Sequence, residues 1–178
     1  MKRRLLSLRK FSRIWLFILI LSIIMLSYYI SANWYQLSLI HGDSMSPAYH
    51  NMQFVILDRH SGDYTYGDVI AFRCEGLNSV LMKRIAACPG DMVEIKDGTL
   101  YVNDTISVIY DKGNIFEYSG IAGHPLYLDA NQYFVIGDNI DASKDSRYEE
   151  VGMVSAEDII GKVYKNNKIV NPLLQKYK

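Results

Sequence analysis

The sequence predicts a mainly β domain carried behind one N-terminal transmembrane helix. Three observations predict it. Residues 14–30, IWLFILILSIIMLSYYI, hold no Asp, Glu, Lys or Arg. Beyond residue 35 the apolar runs are short and rich in β-branched and aromatic residues, the pattern of strands and not of long helices. Gly-Asp pairs at Gly42, Gly62, Gly67, Gly90 and Gly137 punctuate those runs. Glycine permits positive φ and aspartate bonds back to the backbone, so each pair marks a turn.

The helix comes first. At about 1.5 Å per residue, the uncharged run, extended through Ser31 and Ala32, just crosses a hydrocarbon core of about 30 Å. Tyr28, Tyr29, Trp34 and Tyr35 cluster at its end, where an aromatic belt sits. Lys2, Arg3, Arg4, Arg9, Lys10 and Arg13 precede it with no acid among them. The positive-inside bias therefore predicts a basic cytoplasmic tail over 1–13, a span over 14–32 and an extracytoplasmic domain over 33–178. The run is longer than the apolar centre of a cleaved signal peptide, and bulky residues follow it. An uncleaved, single-pass anchor in the cell membrane is the expectation, with membrane lipid as a partner. Formal net charge over the 178 residues is zero. No basic stripe follows the anchor, which argues against nucleic acid as a partner.

Strands are expected at Leu37 to His41, Phe54 to Asp58, Val69 to Cys74, Val80 to Ala86, Met92 to Lys96, Thr99 to Val102, Tyr133 to Ile136 and Gly161 to Tyr164. Lys96-Asp97-Gly98-Thr99 has the composition of a two-residue hairpin turn. A short helix is expected near Ser155 to Ile159. Residues 104–130 carry the least regular pattern, that of a long hairpin or an excursion. Asn103-Asp104-Thr105 fits an N-glycosylation acceptor, a pattern common by chance.

The chemistry starts at Gly42-Asp43-Ser44-Met45-Ser46-Pro47. Glycine before Ser44 and proline after it favour a constrained turn that presents the hydroxyl. Backbone N–H groups of such a turn also suit a developing oxyanion. A serine hydroxyl is a weak nucleophile until a base takes its proton. Lys83 lies in the apolar run Leu81-Met82-Lys83-Arg84-Ile85. Strand alternation sets it on one face with Leu81 and Ile85. Desolvation there disfavours the charged form and makes the neutral amine a base. The bland alternative has Ser44 as a loop serine and Lys83 reaching solvent or pairing with Asp91. Arg84 reads as structural. A third cluster, Gly137-Asp138-Asn139-Ile140-Asp141-Ala142-Ser143-Lys144-Asp145-Ser146-Arg147, is dense in short polar side chains, and Asp145 with Arg147 suits a fixed ion pair. Its spacing fails the EF-hand pattern. None of the four histidines forms a metal-ligand pair, although His41 is near enough in sequence to leave a Ser/His alternative open. Neither a metal nor a cofactor is expected. The two cysteines, Cys74 and Cys88, lack metal spacing and read as single buried thiols, with a disulfide left open.

At these residues the chain resembles type I signal peptidases, the bacterial Ser/Lys enzymes, in a single-anchor, Gram-positive-like form. The likeness covers the anchor and most of residues 37–165. It rests on the Ser44 hexapeptide, Tyr66-Gly67-Asp68-Val69-Ile70-Ala71-Phe72, Leu81 to Asp91 around Lys83, and Gly137-Asp138-Asn139 with Ser143 to Arg147. The resemblance implies a coiled β-sheet fold shared with self-cleaving repressors. It implies Ser44 as nucleophile, Lys83 as general base, Ser143 orienting the amine, and Asp145 and Arg147 supporting that loop. Ile40, Met45 and Met82 would help line shallow pockets for small residues at −3 and −1 of a signal peptide. Signal peptides of exported preproteins are the implied substrates, cleaved through an acyl-enzyme, and the secretion machinery is a partner the reading allows. The chain departs from the family at Gly42, where some members carry an oxyanion-donating serine, at Ile140, and at Pro47-Ala48-Tyr49. Two alternatives stand beside this reading: a Ser/Lys peptidase dedicated to a pilin or conjugation substrate, and a non-catalytic anchored β-domain that binds exported chains.

Overall fold

A computed structural model describes residues 2–110 and 115–164. The chain divides into two compact units, one ending at Gln36 and the other beginning at Leu37. The first unit is helix α1 (Lys2–Trp34). No glycine or proline interrupts it. From Ile14 to Tyr29 its side chains are mostly apolar and exposed on every face, with Trp15 at 58% and Phe17 at 68%. A helix of that kind needs an apolar surround. Its Ser22 hydroxyl is satisfied within the helix, donating to Leu19 O at 2.8 Å. Ile14–Trp34 is long and apolar enough to cross a membrane.

Strands build the second unit, the first of them starting two residues ahead of it. β1 (Tyr35–Leu39), β2 (Phe54–Asp58), β3 (Val69–Cys74), β4 (Ser79–Ala87), β5 (Met92–Lys96), β6 (Thr99–Val102), β7 (Thr105–Ile106), β8 (Leu126–Tyr127), β9 (Gln132–Ile136), β10 (Val154–Ser155) and β11 (Ile159–Val163) follow in chain order. One sheet runs β1-β2-β11-β3-β4-β9-β10 and the other β7-β6-β5-β8. The expected mainly β fold with an N-terminal apolar helix is therefore what forms.

Strand alternation explains the core. In β3, Ile70 and Phe72 pack with Ile85, Val135 and Ile159, while Val69 and Ala71 pack with Ile40, Met45 and Leu57. In β9, Tyr133 and Val135 join the first of these clusters. Phe134 and Ile136 join a third, with Val93, Ile95 and Leu100 of the smaller sheet. Both faces of β3 and β9 are thus covered, which is why their sequences read as unbroken apolar runs. β4 lies between them, antiparallel to both. Its Lys83 stands in the middle of a sheet and not on an edge.

Four expected strands match to the residue: β2, β3, β5 and β6. The turn between β5 and β6 has Asp97 at φ 50° and Gly98 at φ 72°, the two positive values a type I′ hairpin demands. The first expected strand is displaced: β1 ends at Leu39, because Ile40 N–H donates to Gln53 O and starts a loop. The last ends at Val163 and begins at Ile159. The expected short helix is one 3₁₀ turn, Ala156–Asp158, capped by the Ser155 hydroxyl, which accepts from Glu157 N–H. The irregular stretch 104–130 supplies β7, a 3₁₀ turn at Gly120–Gly123 and β8; residues 111–114 lie outside the described residues. Strands of two residues leave no periodicity to read. Asn103 is a turn residue, accepting from Met92 N and donating to Asp91.

Candidate active site

Ser44 sits in a tight turn closed by Ser46 N–H donating to Asp43 O at 3.0 Å and Tyr49 N–H donating to Met45 O at 2.8 Å. Met45, 1% exposed, plugs that turn into the core. Lys83 comes from the centre of β4, opposite Ile70 of β3. Lys83 Nζ donates to Ser44 Oγ at 2.8 Å. The same separation serves the reverse sense when the amine is neutral. No histidine bonds Ser44 among the described residues, so the Ser/His alternative at His41 has no hydrogen bond behind it.

The amine is 3% exposed as a residue. Burial lowers its pKa below the usual lysine value, and the nearby carboxylates of Asp145 and Asp138 offset only part of that. Both carboxylates are already committed. Asp145 accepts from Arg147 Nε at 2.8 Å and Nη2 at 3.0 Å, with 0% of its side chain exposed. Asp138 accepts from Arg84 Nε at 2.6 Å and Nη2 at 2.5 Å. Asp91, the other partner considered for Lys83, takes Cys88 N–H at 2.8 Å instead.

The loop 137–147 is held against the serine turn by backbone. Asn139 N–H donates to Ser44 O at 3.0 Å. Gly137 makes the approach feasible: an added Cβ would come to 2.5 Å of Ser44 O and closer still to Ser143 Oγ. Asp145 accepts from Gly137 N–H at 3.1 Å. Arg147 reaches forward to Ile140 O at 2.8 Å and Ser143 O at 3.3 Å. Ser143 is buried, and its Oγ bonds no partner among the described residues, Lys83 included. Ile40 and Met45 are buried in one apolar cluster, and half-buried Met82 and Tyr49 pack against it.

The sequence profile of the family described as signal peptidase, peptidase S26, matches residues 12–165. The chain belongs to this family. Signal peptidase I U of Bacillus subtilis (strain 168) is 33% identical over 156 residues, 81% of this chain and 83% of that protein. Signal peptidase I P of Bacillus subtilis subsp. natto is 30% identical over 134 residues, 69% and 71% of the two chains. A crystal structure of a signal peptidase I from Enterococcus faecalis V583 is 27% identical, covers 57% of this chain and 97% of that chain, and aligns with a TM-score of 0.44.

In this peptidase, then, the expected residues Ser44, Lys83, Asp145 and Arg147 meet in one region, with Ser143 beside Gly137 at its floor. Sequence reading missed two parts of it. One is the Arg84–Asp138 pair, whose signal was an arginine in an apolar strand, since a buried guanidinium requires an acceptor. The other is Asn139, which acts through its backbone and leaves no side-chain signal. The thiols of Cys74 and Cys88 are free, and Cys74 Sγ lies 3.4 Å from Glu150 O.

Proposed function

We propose that this chain is a membrane-anchored signal peptidase that removes signal peptides from exported preproteins by a Ser44/Lys83 dyad. The single observation that carries the reading is a buried amine that has no carboxylate partner of its own among the described residues and lies 2.8 Å from a turn hydroxyl. Neutral Lys83 takes the Ser44 proton as Oγ attacks the scissile carbonyl. The resulting ammonium returns that proton to the leaving amine as the peptide C–N bond breaks. Lys83 then deprotonates the water that opens the acyl-enzyme ester, and the proton goes back to Oγ. The Ser44 backbone N–H, which bonds nothing among the described residues, is the oxyanion donor.

Ser143 is the reserve acceptor and donor for the amine. Its buried, unpartnered hydroxyl supports that role, because such a group normally finds a bond. Asp145 and Arg147 keep its loop in place. Half-buried Met82, backed by buried Ile40 and Met45, forms the apolar wall against which small residues at −3 and −1 rest. The basic tail 1–13 lies in the cytoplasm and the domain from residue 33 outside, in contact with lipid and, through its substrates, with the secretion machinery. Tethering holds enzyme and membrane-inserted substrate at one surface and raises their effective concentration.

The test is mass spectrometry of a preprotein incubated with the full chain in detergent. Cleavage is expected after an Ala-X-Ala-like site, and none with Ser44→Ala or Lys83→Ala. Normal processing by either variant removes the dyad.

A further inference from the structure

We propose that Asn51 is a positioning residue for the peptidase reaction: its side-chain oxygen pins the Gly42 backbone and thereby fixes the turn that aims the Ser44 hydroxyl. The inference rests on Ser44 being the nucleophile, as proposed above.

The turn bearing Ser44 is the head of a loop whose two limbs are laced together. Ile40 N–H donates to Gln53 O at 2.9 Å, and Met52 N–H donates back to Ile40 O at 2.8 Å. The next rung, at Gly42, is made by a side chain: Gly42 N–H donates to Asn51 Oδ1 at 3.0 Å. The return limb is braced in turn, with His50 N–H donating to Gln53 Oε1 at 3.0 Å. Met52 stands at φ 63°, a left-handed conformation that residues with a Cβ seldom adopt. Its side chain is 62% exposed, so packing does not demand that conformation. The lacing does, because it is the turn at Met52 that lets the backbone bond Ile40 while Asn51 faces Gly42.

The bond at Gly42 has a second effect. It occupies a backbone donor two residues before the nucleophile. Ser46 N–H is likewise taken, by Asp43 O. The Ser44 N–H bonds nothing among the described residues and is open to a developing oxyanion, and its direction depends on how firmly Gly42 is held. Gly42 itself, at φ 83° with open space around an added Cβ, has no packing to hold it. Asn51 supplies the restraint from the surface, so its loss should reach the rate and spare the fold.

The experiment measures kcat and KM for a model preprotein with the full chain in detergent, alongside the thermal midpoint. Asn51→Ala should lower kcat about tenfold, the factor equivalent to one hydrogen bond, with KM and midpoint held. Asn51→Asp keeps an accepting oxygen and should restore kcat to within about threefold. Wild-type kcat in Asn51→Ala overturns the proposal. So does an Asp variant as slow as the Ala variant, or a parallel fall of kcat and midpoint, which would mark Asn51 as merely structural. Ser44→Ala is run beside them: cleavage by that variant removes the nucleophile reading itself, a failure distinguishable from a silent Asn51.

Discussion

Two kinds of buried cation lie within one small region of this domain. Arg84 and Arg147 each grip a carboxylate with two nitrogens, through Asp138 and Asp145. Lys83, next to Arg84 in the chain, faces a hydroxyl instead. All three are nearly inaccessible, at 5%, 2% and 3% exposure. The two arginines have their counter-ions built in; for Arg84, burial pulls the pKa down and the Asp138 hydrogen bonds more than restore it. Lys83 has no counter-ion of its own among the described residues, and burial lowers its pKa below the ordinary lysine value. Structure and the proposed chemistry are thus divided among neighbours: the paired cations hold the loop, and the third is the one proposed to move a proton.

The hardest way to break that division is to make the third cation like the other two. Lys83→Arg places a group that stays protonated at any working pH. Preprotein turnover should fall by about 10²–10⁴, the usual worth of general acid–base catalysis. A Lys83→Arg enzyme cutting at the wild-type rate would show that no neutral base is needed.

The wild type offers a subtler break through pH. Below the native pKa of Lys83 the amine is protonated, so kcat/KM should fall about tenfold per pH unit and level off above it. Stability carries the same proton with a defined sign. Between the lowered native pKa and the ordinary 10.5, the unfolded state binds a proton that the native state does not. Stability therefore rises with pH across that window, by up to about 1.4 kcal/mol per pH unit from this group. Below it both states are protonated and the slope vanishes. Urea unfolding of Lys83→Met should lack this slope; a retained slope would assign the proton elsewhere.

Removing a counter-ion tests the other half. Asp145→Ala leaves Arg147 buried without its carboxylate and should cost about 3–5 kcal/mol in urea unfolding. The loss also strips the acceptor from Gly137 N–H, so activity should fall along with stability. In Lys83→Ala only activity should fall. Equal stability losses in the two variants would erase the contrast between paired and unpaired cations.

How much of this was legible in the sequence follows the same line. Ser44 and Lys83 were readable because each is out of place: a serine in a Gly-Pro turn, a lysine in an apolar strand. β2, β3, β5 and β6 were readable because alternation or an unbroken apolar run spans their whole length. Asp145 and Arg147 were legible as a pair because they sit two residues apart. Asp138 with Arg84 was not, because partners far apart in sequence are joined only when β4 and β9 pair. Gly137 was marked as a turn glycine, yet its φ is not positive; what it supplies is room beneath Ser44 and Ser143, which no local pattern encodes. β7, β8 and β10 are two residues each, below the length at which periodicity exists.

The smallest expected effect is at Met52. Its φ of 63° carries a left-handed penalty of about 1–2 kcal/mol for a residue with a Cβ. Glycine removes that penalty but has more chain entropy to lose on folding, about 0.5–1 kcal/mol. Met52→Gly should therefore stabilise by about 0.5–1 kcal/mol. The thermal midpoint should rise by about 2–4 °C at most for a chain of this size. Turnover should stay put, because the Gly42–Asn51 bond, not the Met52 side chain, holds the nucleophile turn. A lower midpoint in Met52→Gly would mean that this exposed methionine packs on something. A faster enzyme would mean that strain in the return limb reaches Ser44. Either result would move the boundary between the part of the domain that is braced by buried ion pairs and the surface loop that is braced by backbone rungs and side-chain amides.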